Sequence, residues 1–238
     1  MWLVYCNSTV EGFAFDGGFV GVNGSSCEIM YCTFNGLDSG VFVGNCSDVY
    51  IGFCEFNNCS SGVVVENGNF TTVESNVVSG ASVVGVSVVD SVNVTVIGNV
   101  ISGAGYSVYL DNVTGCVNFN SLSSASGAFV ESCEVNLTNN WWGSNNPDFA
   151  NIICGNVSVG SWLVLGLDCL VDWSSNCSSG AYDVVVIGDL TRNNLGDDTS
   201  REYCLDNVNM SFSSTIGNIT DSALSEDGFV SVDLNCSC

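Results

Sequence analysis

The sequence predicts an all-β protein whose larger part is a right-handed parallel β-helix, and three observations carry that expectation. Gly18, Gly40, Gly62, Gly85, Ser107 and Gly127 each open an apolar run, at intervals of 22, 22, 23, 22 and 20 residues. A second register holds Cys32, Cys54, Asn76, Asn99, Asn120 and Asn140, with steps of 22, 22, 23, 21 and 20. The runs are built from valine and are punctuated by Gly, Asn and Ser rather than by helix formers. A fixed period of this length is the mark of a solenoid, in which each repeat buries its apolar face only against its neighbours.

Taken in order, the chain opens inside a coil. Ser8 to Phe15 aligns with Cys27 to Phe34 but has no glycine-led strand before it, and there is no basic segment or apolar leader at the start. The expectation is a segment of a longer secreted protein. Each ladder position has an apolar residue three before it (Ile29, Ile51, Val73, Val96, Val117, Leu137) and two after it (Phe34, Phe56, Val78, Ile101, Leu122, Trp142). Alternate strand positions share a face and like side chains stack about 4.8 Å apart, so these columns point inward and the asparagines form a ladder. After each glycine, Phe19, Val41, Val63, Val86, Val108 and Ala128 form a further inward column, with Gly21, Val43, Val65, Val88, Leu110 and Val130 two residues on. Short strands joined by tight corners leave no room for a helix, and the handedness of parallel crossovers makes the coil right-handed. Seven coils would make a rod roughly 34 Å long.

The period ends at Asn139-Asn140-Trp141-Trp142-Gly143-Ser144-Asn145-Asn146-Pro147-Asp148-Phe149, which contains the only proline. Large aromatics and a proline suit a cap over exposed strand edges, and Ser161 to Leu167 reads as a closing strand over it. The β-helix is therefore placed at 1–172, with its cap at about 139–172, and a second domain at 173–238.

Composition narrows function. Two arginines, Arg192 and Arg201, stand against 25 acids, with no Lys, His or Gln, and the net charge is −23. Such a surface repels nucleic acid and anionic membranes, both of which need basic contacts. The longest apolar run, Trp162 to Val171, is too short to cross a bilayer. Thirteen Asn-x-Ser/Thr triplets begin at Asn7, Asn23, Asn45, Asn58, Asn69, Asn93, Asn112, Asn136, Asn156, Asn176, Asn209, Asn218 and Asn235. They would suit a secreted protein, although a chain this rich in Asn, Ser and Thr also makes them by chance.

Parallel β-helices commonly house polysaccharide lyases and hydrolases, so catalysis is the alternative to weigh. A lyase needs a cationic base, and the chain through residue 172 has no Lys, Arg or His. A hydrolase needs paired carboxylates on one face, whereas Asp16, Asp38, Asp48, Asp90 and Asp111 sit mostly at corners and Glu55, Glu66 and Glu74 form no column flanked by basic residues. No triad is available without histidine. Calcium would be best served by Asp189, Asp197 and Asp198 in one acidic loop, which lacks a spaced calcium motif. Cys32 and Cys54 should be buried thiols acting as small apolar residues, with some disulfides as the alternative because stacked α-carbons fall within bonding range; Cys46 and Cys133 should share a corner, and Cys116 should face outward. With no Cys-x-x-Cys and no histidine, a zinc site is not expected.

The phrases "NNWWGSNNPDF" (139–149) and "WLVLGL" (162–167) resemble the C-terminal end of β-helix regions in adhesin-like surface proteins of methanogenic archaea. In that family an Ig-like module follows, and the matching phrases here are "VVVIGDLTRNNLGDDTS" (184–200), "VNMSFSSTIGNIT" (208–220) and "DGFVSVDLNC" (227–236). The resemblance implies a small Ig-like β-sandwich at 173–238, incomplete because about 66 residues fall short of the ~100 of a full module. It also implies adhesion to surface glycans or proteins of another cell.

One column could serve that role. Between the inward positions after each glycine lies an outward one, held by Val20, Phe42, Val64, Ser87, Tyr109 and Phe129. An exposed aromatic strip marks a partner or sugar surface, and Phe42, Tyr109 and Phe129 are its candidate contacts. The sequence thus points to a non-catalytic extracellular or cell-surface protein in which a rigid β-helix displays a binding face, with a carbohydrate-active enzyme or a pure spacer as the alternatives.

Overall fold

The structure is a computed structural model that describes residues 2–5, 7–23, 26–171, 181–215, 218–219 and 222–237. The chain divides into two units, residues 1–162 and 163–238.

The first unit is a parallel β-helix with three strands per coil. The first sheet starts with Trp2–Tyr5, Phe19–Asn23, Ser39–Gly44 and Ser61–Glu66 and ends with Ser126–Glu131 and Ile153–Gly155. The second contains Thr9–Glu11, Glu28–Met30, Ser47–Gly52, Asn69–Glu74 and Glu134–Asn136. The long strands Val84–Ile97 and Tyr106–Asn118 run through both. The third sheet stacks six strands: Ala14–Asp16, Thr33–Asn35, Glu55–Asn57, Val77–Ser79, Val100–Ser102 and Ser121–Leu122. The unit therefore has about six full turns rather than seven.

Every inward column expected between residues 29 and 142 is buried. Phe15, Phe34 and Phe56 stack down the third sheet, with ring centroids 5.1 and 4.7 Å apart. Beside them runs the asparagine ladder. Asn99 Oδ1 accepts from the backbone N–H and the Nδ2 of Asn76, Asn120 Oδ1 does the same for Asn99, and Asn140 Oδ1 for Asn120. Each amide nitrogen also donates to a carbonyl one coil back, as Asn99 Nδ2 does to Val73 O at 2.8 Å. The amides thereby satisfy corner groups that water cannot reach. Cys54 continues the column with the same two-way chemistry, and the Cys32 thiol donates to Met30 O at 3.2 Å. Cys54 Sγ accepts from the Cys32 N–H at 3.4 Å and donates to Gly52 O at 3.2 Å, while the Cys54 N–H donates to Asn76 Oδ1 at 2.9 Å.

The glycines that set the period are steric requirements. A Cβ on Gly40 would lie 2.3 Å from the Phe56 ring, and one on Gly85 would lie 2.3 Å from Ile101 Cγ2 and 2.7 Å from Ser107 O. The residue before each ladder position turns in the left-handed region: Tyr31, Phe53, Ser75, Gly98, Phe119 and Asn139 all have φ between 51° and 69°. Side chains with a Cβ pay roughly 1–2 kcal/mol there, and Tyr31 and Phe53 offset part of it by stacking 5.2 Å apart.

Two details of the first coils differ from the sequence reading. Trp2–Tyr5 is a first-sheet strand paired in parallel with Phe19–Asn23, so a strand does precede Ser8. An irregularity between Phe19 and Val20 also shifts the register by one, so that Val20 pairs with Val41 and Gly21 with Phe42. Gly21, and not Val20, shares the outward column; the doubled Gly17-Gly18 turn hides this slip from a simple count.

At the C-terminal end, Trp142 packs over Gly127 and meets Phe149 edge to face at 5.7 Å, and Phe149 meets Trp162 at 5.2 Å. The strand that follows these aromatics pairs elsewhere. Trp162 bridges Asn140, whereas Leu163–Val171 pairs antiparallel with Ala181–Asn193 and belongs to the second unit. Its register runs from Leu163 opposite Asn193 to Val171 opposite Val184, with an irregularity between Val164 and Gly166. The anticipated boundary at residue 172 itself lies outside the described residues.

The second unit has an antiparallel sheet in which Ala181–Asn193 lies between Leu163–Val171 and Phe229–Ser237, with Asn218–Ile219 on the far edge. A separate ladder joins Asn209–Ser211 to Ser222–Leu224. Leu163, Leu190, Leu205, Val208, Met210, Val230 and Val232 are the buried apolar residues described in the second unit.

Candidate functional site

The outward column of the first sheet runs Phe42, Val64, Ser87, Tyr109, Phe129 and Cys154 in continuous parallel register. All of these are partly exposed or exposed, since strand alternation turns them away from Val41, Val43 and their equivalents in the core. Tyr109 and Phe129 stack with centroids 4.5 Å apart and planes 4° from parallel, and Tyr106 meets Phe129 edge to face at 6.1 Å. These three rings make one apolar surface with two phenol hydroxyls as polar handles. Phe42 is not part of it. Three rungs separate it from Tyr109, roughly 14 Å at strand spacing, with Val64 and Ser87 between, and its ring lies over Gly44, where a Cβ would come within 2.7 Å.

Beyond Phe129 the strip opens into a groove of about 340 Å³, lined by Phe129 to Cys133 on one side and Cys154 to Asn156 on the other. Gly155 is fixed by it: its φ is +119°, and a Cβ would sit 1.8 Å from Val130 O. The Cys133 thiol donates to Glu131 O at 3.0 Å, and burial pushes its pKa up, so it stays protonated and weakly nucleophilic. Glu131 is the one carboxylate in this lining.

Sequence reasoning missed this groove and a second aromatic pair. Tyr31 and Phe53 are stacked and about half exposed, one residue before the ladder positions Cys32 and Cys54. The same periodic alignment, read one residue earlier, carries that signal. The groove has no such signal, because it forms where the repeat stops.

The acidic loop of the second unit holds its carboxylates in separate turns. Asp189 Oδ1 accepts from the Thr191 N–H and hydroxyl, Asp197 Oδ2 from Asn193 Nδ2, and Asp198 Oδ1 from the Ser200 N–H and hydroxyl. The Ser200 bonds hold the Asp198 carboxyl below its usual range. Among the described residues no three His, Cys, Asp or Glu side chains converge as metal ligands, these three acids included.

A family profile described as "NosD: Periplasmic copper-binding protein (NosD)" matches residues 7–158, well over half of the chain. A search of the curated proteins finds no match, and neither does a search of the solved structures. Among the described residues no group fits copper: the chain has no imidazole, no three Cys, Asp or Glu side chains converge, and the buried ladder thiol of Cys54 donates to Gly52 O, with burial pushing its pKa up to about 12.

Proposed function

The chain belongs to the NosD family, and from that premise we propose that it is a non-catalytic, exported β-helix rod that displays the Tyr106-Tyr109-Phe129 surface and its adjoining groove to a glycan or protein on another cell. The single observation that carries this reading is the stacked Tyr109-Phe129 pair. Two large stacked rings left partly exposed on a rigid sheet, beside an open groove, suit a recognition surface. The periplasmic description of the family supports an address outside the cytoplasm. No helix among the described residues is long and apolar enough to cross a membrane. The net charge of −23 favours neutral glycans or basic protein surfaces over acidic polymers. The likeness to adhesin-like archaeal surface proteins, with an Ig-like module as onward connector, suggests the same role for the antiparallel second unit.

The groove supports binding rather than chemistry. It contains one carboxylate where glycoside hydrolysis uses two, and the β-helix supplies no cationic side chain for a lyase base. Neutral and acidic polysaccharides incubated with the protein, with calcium and with chelator, should keep their full mass. Shortened chains would make the protein an enzyme and end this proposal.

A further inference from the structure

The Asn-x-Ser/Thr triplets fall into two groups once burial is known, and one group has the geometry of acceptor sites. The chain has 28 Asn and 45 Ser or Thr among 238 residues, so chance would give about five triplets, and there are thirteen. The buried ladder residues Asn76, Asn99, Asn120 and Asn140 are in none of them, and no triplet asparagine whose burial is described is buried.

We propose that the exported chain carries N-linked glycans at Asn45, Asn58, Asn93, Asn112 and Asn136. At each of these the middle residue (Cys46, Cys59, Val94, Val113 or Leu137) is at most 4% exposed and points into the core. The asparagine and the hydroxyl two residues on therefore project together on the outward side, as a transferase reading both groups requires. Asn45, Asn58, Asn93 and Asn112 sit at corners with φ of 53–54°, a conformation asparagine tolerates well. The corner explains the asparagine but not the hydroxyl. At the positions equivalent to Asn45 in the next two coils, Asn67 and Asp90 are followed two residues on by Asn69 and Val92. At Asn136 the Thr138 N–H donates to Oδ1 at 3.0 Å, an Asx turn that ties the amide oxygen to the acceptor triplet itself.

One triplet faces the other way and serves as an internal control. In Asn69-Phe70-Thr71, the threonine is fully buried and Phe70 is outward, so the hydroxyl is out of reach. Asn93 and Asn112 fall in the long strands Val84–Ile97 and Tyr106–Asn118, so the Asn112 glycan would stand three residues along the chain from Tyr109.

The transfer needs an activated donor, a sugar held through its anomeric oxygen to a lipid pyrophosphate. Asparagine Nδ2 attacks the anomeric carbon, the C1–O bond breaks as the N–C1 bond forms, one amide proton passes to the transferase, and the lipid pyrophosphate leaves. This inference rests on export, and not on the ligand-binding role, so a bare strip and a glycosylated rod remain separable results.

The test is glycopeptide mass mapping of the protein purified from the cells that make it, alongside Thr138→Val and Thr138→Ser. Sugar mass is expected on the peptides of all five asparagines and not on Asn69; Thr138→Val should empty Asn136 alone, and Thr138→Ser should keep it filled. Bare peptides at the five corners, sugar at Asn69 in their place, or a glycan on Asn136 that survives Thr138→Val would overturn the proposal.

Discussion

At the scale of single residues, the ladder concentrates the polar stakes of the core. Removing the Asn99 amide takes the acceptor from the Asn76 N–H and from one of its Nδ2 protons, and the donor from the Val73 and Ile97 carbonyls. Each buried unsatisfied group costs about 1–3 kcal/mol, so Asn99→Leu should lower stability by roughly 3 kcal/mol or more in urea unfolding. Asn99→Cys should cost less, because Cys54 already shows a thiol filling the same two-way role. Cys54 also gives a pH signature. Burial raises its pKa from 9.0 to about 12, so the folded state holds the proton more tightly than the unfolded chain. The stabilisation is fully present below pH 9 and is lost as pH rises from 9 towards 12. Unfolding midpoints of the parent should therefore fall more steeply over that range than those of Cys54→Ser; parallel curves would remove the effect. The identities and spacing of this ladder were legible in the sequence because the period is strict. Why cysteine could replace asparagine was not, since it depends on thiol hydrogen bonds that spacing does not record.

At the scale of elements, the period-setting glycines and the cap decide whether coils stack. Gly85→Ala puts a methyl group into Ile101 and the Ser107 carbonyl, and overpacking of this kind costs about 1–3 kcal/mol. Circular dichroism melts of the variant should drop accordingly; an unchanged melt would mean that the backbone yields freely. Trp142 is 5% exposed and closes the last coil, so Trp142→Ala should cost about 3–5 kcal/mol. Its indole N–H has no hydrogen-bond partner, so Trp142→Phe should recover most of that loss. The repeat, its inward columns and the aromatic cap could be read from sequence because burial repeats every coil. The irregularity at Phe19-Val20 and the defection of Leu163–Val171 to an antiparallel partner could not, because neither changes the apolar pattern. A run of alternating Leu, Val and Gly fits either sheet, and pairing alone chooses.

At the scale of the whole molecule, 25 acids against two arginines make self-repulsion a standing cost. Raising ionic strength from 0.01 to 1 M shortens the screening length from about 30 to 3 Å, and a gain of about 1 kcal/mol would read as a rise of roughly 2–4 °C in Tm. No rise would place the acids too far apart to interact. The same charge shapes what the proposed surface can meet, with its partly exposed rings as the contact. Of the three aromatics singled out by sequence, Tyr109 and Phe129 come together and Phe42 stands apart, because a strip one residue wide says nothing of which rungs hold rings that touch. The central claim, a rigid rod with one recognition surface, is tested most directly by retention of the protein on a panel of immobilised neutral glycans and basic proteins. Parent protein is compared with Tyr109→Ser/Phe129→Ser, both folded by circular dichroism. The account predicts that at least one surface retains the parent and releases the double variant. Equal retention of the two, or none of the parent on any surface, would contradict it.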